Sequence, residues 1–196
     1  MEAFASFFSG LGLSAASGLN AYLPMFTVGL LSRLGFIDLA APFNVIEHPL
    51  VLLVIAALAV LDFAGDKIPA VDSALHALGM IVAPMAAAIL FVASTSSFGT
   101  VEPWLAAIAG LFIGGGTHAL RAAARPVVTL ATGGTANPVV SLVEDIAALV
   151  LTIVAIVIPV LGVILALIAA FFAWRFFSRA RRTWRQKEHV NGVGHH

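Results

Sequence analysis

An all-α fold, a polytopic transmembrane helix bundle of about six spans, is what this sequence predicts, and three observations carry it. Hydrophobic residues make up 61% of the chain and charged residues only 10%, against roughly a quarter charged in a soluble domain. The apolar residues fall in runs, several of them close to the ~20 residues a bilayer-crossing helix requires. The basic residues are unevenly placed: of 10 Lys and Arg, most sit in "RFFSRARRTWRQK" near the C-terminus.

Each element follows from its run. Ala3 to Ser32 carries no charge and reads as a first span, interrupted in "SGLGLSAASGLNAYLP" by Gly, Asn20 and Pro24. Glu2 stands where a signal peptide would carry basic residues, so this is read as a retained span. Pro49 to Leu61 is too short alone and crosses only if the helix continues through Asp62 towards Gly65. A third span runs from Asp72 to about Ser94, and a fourth from Pro103 to about Leu120, ending in "GGGTHALR". As one helix, residues 137–177 would be about 60 Å long at ~1.5 Å per residue, twice the ~30 Å hydrocarbon core. Either two helices turn at "IPVLG", or one helix runs from Ile146 onwards with the first part outside. With six spans and both termini cytoplasmic, every basic residue except Arg33 falls inside, as the positive-inside rule favours. The expected organisation is one transmembrane domain, residues 1–178, and a basic cytoplasmic tail, 179–196. The expected location is the inner (cytoplasmic) cell membrane, multi-pass.

The polar residues gather on one side of this scheme. Asp62, Asp66, Lys67 and Asp72 lie at the cytoplasmic ends of spans two and three, with His76 one turn inside. His118 and Arg121 close span four, and Glu144 and Asp145 sit about two turns into span five. A charged residue inside a span costs roughly 2.5–3.5 kcal/mol on insertion scales, so such residues pair or line a pathway. Asp72 could instead cap a helix, and Asp66-Lys67 before Pro69 could be a surface turn. Glu144 and Asp145 need partners such as Arg121, Arg125 or Lys67. Five acids on this side face three bases, and buried carboxylates left over are expected to hold a proton or a cation. His76 and His118 read as packed or hydrogen-bonded before they read as metal ligands, and could share proton traffic. Asn20 belongs with them, because an Asn-Pro interruption unwinds backbone inside a span. "GLFIG", with Gly110 and Gly114, reads as close helix packing.

Several classes are excluded or weakened. The chain has no cysteine, which removes disulfides and thiol chemistry. Its charges balance at ten each, so net charge points to no partner and nucleic-acid binding is not needed. No hydrolase, zinc-protease or phosphate-loop motif appears. An intramembrane hydrolase using His118 and Asp145 stays conceivable, no cofactor is expected, and a metal is left open. The tail, with Trp174 and Trp184 among arginines, reads as an interfacial anchor on anionic lipid. The expected function is a small transporter or channel, cation- or proton-coupled and working as a homo-oligomer. The alternative is a membrane scaffold or lipid-interacting protein whose charges form a structural ion-pair network.

"GLNAYLPMF", "DKIPAVDSALHAL" and "NPVVSLVEDIAAL" together resemble the domain-of-unknown-function family numbered 4126, bacterial multi-pass membrane proteins, from about residue 10 to 175. The resemblance implies an integral membrane protein and little about activity. "FAGDK" is similar to the Glu-x-Gly-Asp-Lys motif of small Mn/Ca-type cation exchangers. Phe63 stands at the Glu position and Asp62 one residue early, about 100° away on a helix, so that chemistry is not carried over.

Overall fold

The computed structural model describes residues 2–65, 69–96, 101–168, 171–172 and 174–175, without the side chains of 69–74 and 76. Among the described residues the chain is helical and has no strand. The elements are α1 (Glu2–Leu19), α2 (Tyr22–Arg33), a 3-10 turn (Phe43–Glu47), α3 (Pro49–Gly65), α4 (Pro69–Ser96), α5 (Pro103–Thr132), α6 (Asn137–Val157) and α7 (Pro159–Ile168).

The first charge-free stretch is two helices rather than one span. Asn20 ends α1, its N–H donating to Ala16 O at 3.1 Å. Its side-chain Oδ1 then accepts the N–H groups of Tyr22 at 2.9 Å and Leu23 at 3.0 Å, which begins α2. A short polar side chain that takes first-turn donors is what lets a helix start there. The chain folds back on itself: Leu13 packs on Val28, and Ala5 and Ser6 share a cavity wall with Phe36, Ile37 and Asp38. Hydrophobicity could not signal this reversal, because both arms are apolar.

α3 continues through Asp62 to Gly65, as its run requires. α4 begins at Pro69, so Asp72 lies inside the helix and does not cap it. α5 does not stop near Leu120. It passes through Arg121, Arg125 and Pro126 to Thr132, and ends where Gly133 takes the left-handed conformation at φ 60°. Of the two readings of residues 137–177, the structure takes the turn at "IPVLG". α6 ends at Val157 and α7 starts at Pro159. The turn is tight because Gly162 faces Ala155, where an added Cβ would lie 2.8 Å from Ala155 Cα.

α1 is the central element. Its small-residue stretch from Ser14 to Gly18 is buried on all sides, and the helix packs against α4, α5 and α6. Gly18 sets the spacing to α5, since a Cβ there would lie 2.5 Å from Gly114 O. Ser14 Oγ donates to Ala87 O of α4 at 3.0 Å. Gly110 and Gly114 pack against Ala87 and Ala88 of α4, as their spacing predicts.

These contacts order the helices as alternating up-and-down segments. Asn20, Asp62, Arg121 and the Gly133–Ala136 turn gather at one end, here the polar end. Glu2, Asp38 and the α6–α7 turn lie at the other. The reversal at Asn20 divides the stretch that was expected to form the first single span into two antiparallel helices. Among the described residues, three helical stretches are long and apolar enough to cross a membrane: Ala77–Ser96, Pro103–Thr132 and Asn137–Val157. They mark the chain as a membrane protein by length and composition.

Candidate functional site

The end of α1 is the hub. Asn20 is 3% exposed, and its two amide hydrogens face two different helices. Nδ2 donates to Asp62 Oδ2 of α3 at 3.2 Å and to Asp145 Oδ1 of α6 at 2.8 Å. The orientation of the amide follows from chemistry: backbone N–H groups flank its oxygen and carboxylate oxygens flank its nitrogen. One residue therefore caps α2 and ties α3 to α6.

A second group lies beside it. Glu144 Oε2 accepts from Arg121 Nε at 2.7 Å and from Arg125 Nη2 at 2.9 Å. Arg121 Nη1 also donates to Leu19 O at 2.6 Å, one of the carbonyls a helix end leaves over. Arg121 and Arg125 are four apart, one turn of α5, and so meet the same carboxylate. A charge-assisted pair of this kind, on side chains only 8% and 15% exposed, is far less screened than a surface ion pair.

His118 is buried one turn before Arg121 on α5. Its ring occupies the space a side chain at position 79 would take: a Cβ on Gly79 would lie 2.7 Å from His118 Cε1. Asp62, Tyr22, Gly79, His118 and Arg121 line a cavity of about 20 Å³. That is enough for one water, which needs roughly 10–15 Å³.

The structure thus brings together Asn20, Asp62, His118, Arg121, Glu144 and Asp145 from four separate stretches of sequence. Asp66 and Lys67 lie outside the described residues. Asp72 and His76 fall on α4, their side chains likewise outside what is described. Tyr22 and the Leu19 carbonyl were missed. The signal for Tyr22 was its place two residues after a chain-breaking Asn. Arg125, named only as a partner, is a full member of the Glu144 group. Among the described residues no group of three or more His, Cys, Asp or Glu side chains is placed to hold a metal ion.

Comparison with curated proteins and with solved structures finds no match. The family comparison does find one, and it covers most of the chain, from within α1 through α7. Over residues 7–179 the sequence fits the family described as Domain of unknown function (DUF4126), and the chain belongs to that family.

Proposed function

We propose that the protein is a small multi-pass transporter or channel of the cell membrane, coupled to a proton or small cation, with its polar end facing the cytoplasm. Arg121 and Arg125 lie at that end and Arg33 at the other, the bias cytoplasmic ends carry. One observation carries the reading: the amide of Asn20, at a break between two helices, bridges Asp62 and Asp145. Interrupted helices that bring acidic side chains together inside a bundle are the common construction of ion-coupled sites. The cavity beside Asp62, about 20 Å³, has room for one water or one small ion. A second reading rests on the Glu144–Arg121–Arg125 group, which closes the C-terminal end of α1 and would serve a scaffold equally well.

Purified protein in liposomes with an internal pH dye and imposed cation gradients separates the two. Asp62→Asn and Asp145→Asn are expected to abolish flux while the protein stays folded and monodisperse. Flux that persists in both variants refutes the coupling site at Asp62 and Asp145, and a native protein without flux, whose variants only melt lower, refutes the transport reading and supports the network.

A further inference from the structure

Two cavities occupy opposite ends of the bundle, and a layer of hydrocarbon separates them. The first is the small polar cavity beside Asp62. The second is larger, about 440 Å³, and opens at the Glu2/Asp38 end. At about 30 Å³ per water it has room for on the order of fifteen waters. Its polar lining is Ser6 and Ser9 of α1, Ser94 of α4 and Asp38 of the loop after α2, with no basic residue. Hydroxyls and one carboxylate suit water and cations and repel anions.

The inner wall of this vestibule includes Leu13, Val28 and Leu90. All three are essentially buried, and they form one cluster on α1, α2 and α4. Met25 packs against that cluster and also against Ala21, Ala83 and Ala86. Ala21 and Ala83 in turn line the polar cavity. Along α4, Leu90 to Ala83 is two turns, so the apolar layer is about 10 Å thick. Hydrophobic constrictions of that kind stop ions by excluding water.

Resting on the transport reading above, we infer that Leu13, Val28 and Leu90, backed by Met25, form a hydrophobic gate on a cation or proton path from the Asp38 vestibule to Asp62. The hairpin turn at Asn20 gives the gate its connection to the site. α1 carries Leu13 and α2 carries Val28, and both helices meet at the residue that binds Asp62 and Asp145. A change in what those carboxylates hold pulls on the junction of the two gate helices. Leu13, Val28 and Leu90 are all buried in the structure, which is the closed state of this gate.

The chain has no native cysteine, so single cysteines report accessibility directly, whether or not any flux is seen. The probe is the small impermeant thiol reagent 2-(trimethylammonium)ethyl methanethiosulfonate, whose fixed charge keeps it out of the bilayer, added from the Asp38 side and read by intact mass. Ser9→Cys, in the vestibule, is expected to label readily, and Ala86→Cys, beneath the gate, to stay protected. Adding Val28→Thr or Leu90→Ala is expected to speed labelling at Ala86→Cys by roughly tenfold or more, as water enters the constriction. In liposomes the same two gate variants are expected to leak cations or protons without a trigger. Fast labelling of Ala86→Cys in an otherwise native chain overturns the gate. So does protection that survives both gate variants when their elution profile is native. If a gate variant does not fold, the Ser9/Ala86 contrast in the native background still decides. A gate that passes these tests in a protein without flux of any cation leaves the labelling result standing and removes the transport reading instead.

Discussion

Asn20 and Asp145 are 125 residues apart in sequence and joined by a 2.8 Å hydrogen bond in the fold. That bond ties the break between α1 and α2 to the middle of the buried face of α6. Asn20 therefore does two jobs with two ends of one amide: its oxygen starts α2, and its nitrogen holds two carboxylates.

The two jobs separate by substitution. Asn20→Ser keeps an oxygen able to cap α2 but loses the reach to Asp62 and Asp145. Asn20→Asp keeps the cap and sets a third carboxylate against the other two. Both are expected to lower the detergent melting temperature, Asn20→Asp by more. A lost bridge to a buried acceptor costs about 1–3 kcal/mol, and like charges in contact add to it. Thermal unfolding of the purified variants at neutral pH checks the order. Equal melting temperatures would mean the bridge contributes nothing.

The Glu144 group makes a sharper case. Glu144→Leu leaves two guanidiniums around an apolar side chain, and breaking a buried pair from one side costs about 3–5 kcal/mol. Removing the partner as well, in Arg125→Met/Glu144→Leu, is expected to recover part of the loss. A double-mutant cycle from chemical or thermal unfolding measures the coupling. No recovery in the double variant would show that the Arg125–Glu144 contact at 2.9 Å does not stabilise the fold.

Packing of α1 on α5 is tested by two glycines. Gly18→Ala places a methyl group 2.5 Å from Gly114 O and from Thr117 Cβ, where α1 and α5 touch. Overpacking of this kind costs typically 1–3 kcal/mol. Gly116→Ala has open space around it, and alanine is the better helix former by up to about 1 kcal/mol. Gly18→Ala is expected to lower the melting temperature by several degrees, and Gly116→Ala to leave it level or raise it.

The reversal at Asn20 has a consequence for sidedness. Glu2→Cys and Asp38→Cys are expected to react with an impermeant maleimide from the same face of the membrane, and Thr135→Cys from the opposite face. A single span over Ala3 to Ser32 requires Glu2 and Asp38 on opposite faces. Labelling in intact cells and in inverted vesicles distinguishes the two arrangements.

What the sequence by itself determined is the helical, membrane-suited character of the chain, and most of its punctuation. Runs of apolar residues leave the backbone no partner but itself, so helix is the only economical state in an apolar surrounding. The glycines at 133 and 134 stop α5 because left-handed backbone is free to them. The chemistry-bearing residues were legible too. Asn20, Asp62, Arg121, Glu144 and Asp145 stand out because polar groups in such company must find each other. The tertiary structure alone decided who meets whom, and in which direction the chain runs. Asp145 and Glu144 are adjacent in sequence, but neighbours on a helix point about 100° apart. One therefore faces Asn20, while the other faces the two arginines of α5. Nothing in a hydropathy pattern separates a continuous helix over residues 3–32 from a hairpin bent at Asn20. The hairpin exists because the Asn20 side chain can cap α2 while Asp62 and Asp145 arrive from distant segments to hold it. That arrangement is a property of the assembled bundle.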